Sequence, residues 1–520
     1  MSRNRRRRPS LTSVVFMMIL FDISAFAILI MNSETFDPLS LVAMAATVLL
    51  LIFQYFILSV FFPNCDRTVL VIANFLVSVG LIIQFRISPS VAMKQLVWIG
   101  IGMVCMIVTT LAIRRSKIWP TLWKALIVLS VLFLASAVVL GSEKFGASNW
   151  INLGPFSFQP SEFVKIMLIF VLAALLGRER NMKTMILAAC YVGACLLLLL
   201  LQKDLGAALL YAGTAIIMLY IATGSKLLVA GSAAVGAGGA FVAYKMFSHV
   251  RVRVALWENP WAMYEKQGYQ VVQGLIAIAS GGLFGLGLMQ GAPKSIPAAH
   301  TDYIFAVICS EFGILFGLAL LVFYLIFIIR GAIIAMDCRN SFDALVAVGC
   351  VSMLALQSFI IIGGVTKFIP LTGITMPFVS YGGSSILSCF FILGILEGLA
   401  VKNGDADEVE FAEWNEQQEA WEDDYYDEDE YDYDGYENDY GYEEEPYYEE
   451  RSYTSRRNRQ TEPEPMTRRE AKRQAKQAKA QAKEDYKQAK QAKAQAKEDY
   501  KQAKQRAKEQ AKRRNRRPSR

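Results

Sequence analysis

Uncharged apolar runs of about 17 to 25 residues recur through the first 400 positions of this 520-residue chain. A run of that length crosses a hydrocarbon core of roughly 30 Å at about 1.5 Å per residue, and inside lipid a helix satisfies its own backbone hydrogen bonds. Hydrophobic residues make up 54% of the chain although its last hundred or so positions are almost wholly polar, so the apolar content is concentrated ahead of that tail. The expectation is an all-α, polytopic transmembrane helix bundle with a C-terminal tail that is disordered or partly helical. Twelve spans are read at 13–31, 39–61, 69–85, 95–113, 123–140, 162–177, 184–201, 205–222, 226–246, 303–329, 342–364 and 380–400, or ten to eleven if short runs merge. No small-residue cleavage site follows the first run, which therefore reads as a span and not as a signal peptide.

Lys and Arg in the short loops orient the bundle. Arg3 and Arg5 to Arg8, then Arg114, Arg115, Lys117 and Lys124, then Arg178, Arg180 and Lys183 fall on one side, which is read as cytoplasmic. An even number of spans puts both termini there and the loops 141–161, 247–301 and 365–379 outside. The eight cysteines are scattered, without CxxC spacing, and there are only two histidines, His249 and His300. Neither a disulfide framework nor a His-rich metal centre is suggested, and heme or iron-sulfur chemistry is disfavoured.

The chain divides into a basic N-terminus at 1–12, two spans at 13–61, a membrane core at 62–402 and a two-part tail. Residues 403–467 are acidic and Tyr-rich, with too few aliphatic side chains to form a core. Residues 468–520 are basic and rich in Ala, Gln and Lys, and the 14-residue string at 474–487 recurs identically at 488–501. The repeat reads as a solvated, partly helical low-complexity segment, or as a basic helix lying on anionic lipid or a partner. Nucleic-acid binding is not expected, because no aromatic platform accompanies the charge.

Four segments on the outer side depart from ordinary loop composition. In the first, Trp150 suits the membrane interface, and Glu162 and Lys165 lie three apart on one face of the helix that Pro160 and Ser161 open. An intramembrane Lys is a functional hypothesis because of its cost, against the plainer reading of a helix-end ion pair. In the second, Asp204 either caps the following helix or binds something there. The third carries Arg251, Arg253, the Asn259-Pro260-Trp261 string, a Gly-rich apolar stretch at 281–287, and His300-Thr301-Asp302 at the mouth of the tenth span. A carboxylate in that position is partly desolvated and so a better base, or else it caps the helix with the aid of the dipole. The Gly-rich stretch has no GKS after it and reads as re-entrant or interfacial. The fourth, from Thr366 and Lys367 to Ser384 and Ser385, is dense in Pro, Gly and hydroxyls, which implies broken helix lining a cavity, or close packing by small residues.

Together the strings GASNWINLGPFSFQPSEFVK, QKDLG, NPW with GYQ, HTDYIFAVICSEFG and PLTGITMPFVSYGGSS, in order over about 141–400, resemble the SEDS (shape, elongation, division and sporulation) family, which includes FtsW, RodA and SpoVE. Lys203 stands where that family often has Pro, Cys309-Ser310 stands where Gly-Glu is usual, and two spans precede the usual start. The resemblance implies a peptidoglycan glycosyltransferase of the bacterial cytoplasmic membrane that polymerises lipid II, the undecaprenyl-diphosphate-linked disaccharide pentapeptide, into β(1,4) strands with inversion. It implies Asp302 as the catalytic residue, the base that deprotonates the acceptor or a group that orients a cation, and Trp150, Glu162, Lys165, Asp204, Arg251, His300, Lys367 and Ser384 as substrate-binding. Arg251, Lys367 or a divalent cation (Mg or Mn) would neutralise the leaving diphosphate. A class B penicillin-binding protein transpeptidase is the implied partner. Two other classes fit parts of the pattern: a lipid II flippase, in which Lys165 serves transport, and a scaffold that recruits cell-wall enzymes through its tail.

Overall fold

The computed structural model describes residues 11–32, 38–144, 147–153, 156–177, 181–265 and 268–427. The basic N-terminus, Arg178, Arg180, most of the acidic tail and the whole basic repeat lie outside the described residues. Helices α1 (Thr12–Met31), α2 (Pro38–Phe61), α3 (Arg67–Ile87), α4 (Pro89–Arg115) and α5 (Trp123–Leu140) lead into a small antiparallel sheet of β1 (Ser142–Lys144), β2 (Ala147–Leu153) and β3 (Phe156–Phe158). Then come α6 (Pro160–Leu176), α7 (Met182–Leu201), α8 (Leu205–Thr223), α9 (Lys226–Met246), α10 (Ser248–Glu258), α11 (Gly268–Gly281), α12 (Ile304–Phe312), α13 (Ile314–Asp337), α14 (Ser341–Val365) and α15 (Gly383–Asp427). Among the described residues, eleven helices are long and apolar enough to cross a membrane. The remaining long helix, α6, has 17 residues and is buried along most of its length. The expected loop at 141–161 is thus partly strand, with Ile151 opposite Phe158 and Asn152 opposite Ser157.

Local chemistry sets the helix ends. Asp66 accepts from the N–H groups of Thr68 and Val69 to cap α3, and Asn340 accepts from Asp343 to cap α14; these are donors a helix start otherwise leaves unpaired. The interior is built by α3, α6, α14 and α15, whereas α9 is exposed along nearly its whole length. Helix α15 lies against α4 at Gly394 and Gly398, where an added Cβ would come 2.6 Å from the Met106 carbonyl oxygen and 2.7 Å from the Ile113 Cβ. Small residues one turn apart let two helices approach closely where apolar transfer no longer drives association.

The tenth span expected at 303–329 is two helices. The apolar run continues through both, but at Gly313 the backbone turns to φ 88° and ψ 166°, which ends α12 and starts α13. The Gly-rich turn after α11 occupies the break: Gly282 and Leu283 carbonyls accept from Ile314 and Leu315, and Leu286 and Gly287 donate to the carbonyls of Ser310 and Glu311. These bonds satisfy backbone groups that a helix break would strand. Spanning starts at Ile314, and α12 is a short half-helix beside α11.

A second difference concerns the start of the tail. Disorder was expected from about 403, but α15 runs on to Asp427. The first acidic residues find cations at the ends of neighbouring helices: Asp405 meets Arg114 at 2.7 Å, and Asp407 and Glu410 meet Arg339 at 2.8 and 2.9 Å. Lys402 meets Asp343 at 2.5 Å in the same region. Pairing removes the self-repulsion that composition alone implied.

Candidate functional site

At the end of the bundle that carries the sheet, a cavity of about 1160 Å³ is lined by residues from the sheet, α4, α6, α8, α10, α14 and the loop between α14 and α15. Trp150, Glu162, Lys165, Asp204, His300, Asp302 and Lys367 all line it. Two residues singled out in the sequence do not. Arg251 is exposed and donates to the Lys245 carbonyl at 3.0 Å. The Ser384 hydroxyl accepts from the Gln159 backbone N–H at 3.2 Å, and it is Ser385 that faces the cavity.

The inner wall is a polar network on helices. Helical spacing brings Lys165 Nζ to 2.6 Å from Glu162 Oε2, and Lys165 also donates to Gln357 Oε1 at 3.2 Å. Glu162 accepts from the Ser388 hydroxyl at 2.7 Å, and Gln357 donates to the Thr375 carbonyl at 2.9 Å. Lys165 is 1% exposed. A cation so enclosed holds its charge only with such partners, since desolvation of a lone ion costs several kcal/mol.

The second wall is organised by Asp204. Its Oδ1 accepts from the Ala207 N–H at 3.0 Å, capping α8, while its Oδ2 accepts from Asn149 at 2.7 Å, Gln159 at 3.3 Å and Ser161 at 3.4 Å. One carboxylate thus ties the sheet to the starts of α6 and α8, and both readings of Asp204, cap and cavity group, describe the same side chain.

Asp302 sits in the turn ahead of α12, opposite Arg253 of α10. A Cβ built on Gly373 would lie 3.5 Å from Asp302 Oδ2 and 3.9 Å from each terminal nitrogen of Arg253, in ordinary contact with both, so the two charged groups face the same point of the loop. Gly373 also has φ 74°, which suits glycine. Enclosure by protein pushes the Asp302 carboxyl up to about 6, against the opposing pull of Arg253 and the Thr301 hydroxyl. His300 stacks edge-on against Tyr381 at 5.7 Å, and burial lowers its pKa. Arg253 donates to the Leu371 carbonyl at 3.0 Å, and Lys367 Nζ donates to the Glu258 carbonyl at 3.3 Å.

Sequence reading passed over Arg253, although it named the pair. On a helix, residues two apart point about 200° from one another, so once α10 is formed only one of Arg251 and Arg253 can face the cavity. Asn149, Gln159 and Tyr381 lie within the strings that carry the family resemblance but were not singled out there, and Gln357, outside those strings, carried no signal beyond polarity. Among the described residues no group of three or more His, Cys, Asp or Glu is placed to hold a metal ion. Arg253, Lys203, Lys367 and Lys94 are the cationic side chains on the cavity wall besides the paired Lys165.

A family model described as cell cycle protein, FtsW/RodA/SpoVE, matches residues 66–404. The peptidoglycan glycosyltransferase RodA of Mycobacterium bovis is 37% identical over 370 residues, covering 65% of this chain and 78% of that protein. Stage V sporulation protein E of Bacillus subtilis is 33% identical over 354 residues, covering 64% of this chain and 95% of that one. Among solved structures, a chain from a peptidoglycan synthase complex studied for its coordination of polymerization and crosslinking matches with a TM-score of 0.57 at 28% identity, covering 65% of this chain and 97% of that chain.

Proposed function

The chain belongs to the FtsW/RodA/SpoVE family of cell cycle proteins, and from that premise we propose that it polymerises lipid II on the outer face of the cytoplasmic membrane with Asp302 as the base. It is a multi-pass membrane protein and a peptidoglycan glycosyltransferase. The observation that carries the finer reading is Asp302 lining a roomy cavity opposite Arg253, with its carboxyl raised to about 6. A base with that pKa is ionised at neutral pH yet binds a proton far more readily than an exposed carboxylate.

In the proposed step the 4-hydroxyl of one GlcNAc attacks the anomeric carbon of a second lipid II. The new C–O bond forms as the bond to the diphosphate breaks, the hydroxyl proton passes to Asp302, and the lipid diphosphate departs with the electron pair. Displacement from the opposite face turns an α-linked donor into a β(1,4) strand, so one base suffices. In this reading Arg253 and Lys367, both on the cavity wall, stabilise the charge that builds on the diphosphate. Glu162, Lys165 and Asp204 hold the walls, and Trp150 offers an aromatic face to a sugar or lipid at the rim. This reading places both termini in the cytoplasm and takes a class B penicillin-binding protein as the partner that cross-links the strand.

Purified protein incubated with lipid II and scored for glycan strands tests the reading. Strands are expected; their absence from well-folded protein, with or without the partner transpeptidase, would overturn it.

A further inference from the structure

Part of what holds Asp302 in place lies off the cavity, because Ser380, Gln95 and Gln84 are not among its lining residues. The carbonyls of the two residues before it are both engaged: Thr301 accepts from the Ser380 hydroxyl at 2.6 Å, and His300 accepts from the Tyr381 N–H at 2.9 Å. Residues 380–382 are in turn gripped by Gln95, which is 1% exposed and lies on α4. Its Nε2 donates to the Ser380 carbonyl at 3.3 Å and its Oε1 accepts from the Gly382 N–H at 3.2 Å. One amide thus serves a donor and an acceptor two residues apart, as a neighbouring strand would. Gln84 of α3 adds a bond from its Nε2 to the Val379 carbonyl at 2.7 Å.

A buried amide could be present only to satisfy stranded backbone groups, since an unpaired one at membrane depth is costly. The geometry points further, because Ser380, which Gln95 binds, also binds the Thr301 carbonyl, and Tyr381, which binds the His300 carbonyl, is the single residue between the two that Gln95 holds. We propose that Gln95 is a positioning residue for the glycosyl transfer: through residues 380–382 it fixes where the Asp302 carboxylate stands relative to Arg253 and the acceptor hydroxyl. Gln95 itself does not line the cavity, although Tyr381 and Gly382 of the segment it holds do, so its loss should act chiefly on the placement of the base and only weakly on the binding of lipid II. Displacement of a reacting group by about 1 Å can cost on the order of 10²-fold in rate.

The inference rests on Asp302 being the base, and the experiment separates the two. Full-length Gln95→Leu, Gln95→Glu and Asp302→Asn proteins are compared with the parent for kcat, KM and the acid limb of the pH profile with lipid II, each per mole of folded enzyme. Gln95→Leu should lose about tenfold or more in kcat with KM within about threefold, and its acid limb should move as the distance from Asp302 to Arg253 changes. Gln95→Glu keeps the bond from the Gly382 N–H and should fall between Leu and the parent; it carries the test if the leucine variant does not fold. Inactive Asp302→Asn together with Gln95 variants that retain the parent's kcat and acid limb would overturn the positioning role alone. Active Asp302→Asn would remove the base and the positioning role together.

Discussion

Lys165 Nζ lies 2.6 Å from Glu162 Oε2, one turn away on α6, with Gln357 at 3.2 Å as its other partner. Each charge stabilises the other, so removing one leaves the other buried and alone. Glu162→Gln or Lys165→Met should each destabilise by several kcal/mol, and the double variant by less than their sum. Thermal unfolding of the three variants in one detergent measures the coupling. Additive effects would mean that the pair is not energetically linked.

Raising the Asp302 carboxyl to about 6 gives a pH dependence with a definite sign. As base, Asp302 must be ionised, so kcat/KM for lipid II should fall as the pH drops below about 6. Arg253 opposes the upward shift, so Arg253→Gln should move the acid limb to higher pH. A limb that stays in place would remove Arg253 from the electrostatics of the site.

The same shift makes ionised Asp302 a burden on the fold. A carboxyl whose folded pKa lies above its unfolded value contributes most below the unfolded value, near 4, and that contribution is lost as the pH rises through about 6. Asp302→Asn should therefore raise the unfolding temperature at pH 7.5 relative to the parent, by a free energy no larger than ~3 kcal/mol and reduced by the partial exposure of the group. Near pH 4 the difference should vanish. Unfolding curves at both pH values check this, and a variant less stable at pH 7.5 would contradict it.

The ion pairs of Asp405, Asp407 and Glu410 divide the tail into a part that braces the bundle and a part beyond it. Ending the chain after residue 427 should leave lipid II polymerisation in detergent unchanged. Ending it after Asn403 should lower the unfolding temperature by a few degrees, since it strips Arg114 and Arg339 of their partners. Loss of turnover in the protein that ends after residue 427, with normal unfolding, would give the distal tail a role in catalysis.

How much of this was legible in the sequence depended on whether the signal was local. The spans follow from uninterrupted apolar runs, and the closeness of Glu162 and Lys165 follows from helical spacing. The break at Gly313 was hidden because apolar residues continue past it on both sides, Ser310 and Glu311 apart, and its hydrogen-bond partners come from 282–287. Arg253 and Arg251 are equivalent until α10 fixes which one faces inward. Gln95 and Gln357 look like stray amides until distant loops close on them. The continuation of α15 was obscured for the same reason, because Arg114 and Arg339 lie far away in the chain.

The most direct test of the account is lipid II polymerisation by purified Asp302→Asn protein, with its unfolding curve recorded on the same sample. The substitution keeps the shape of the side chain and removes its ability to accept the acceptor's proton. The account predicts a protein at least as stable as the parent at pH 7.5, with turnover reduced by on the order of 10² or more, the usual contribution of a general base. Turnover within about tenfold of the parent would contradict it.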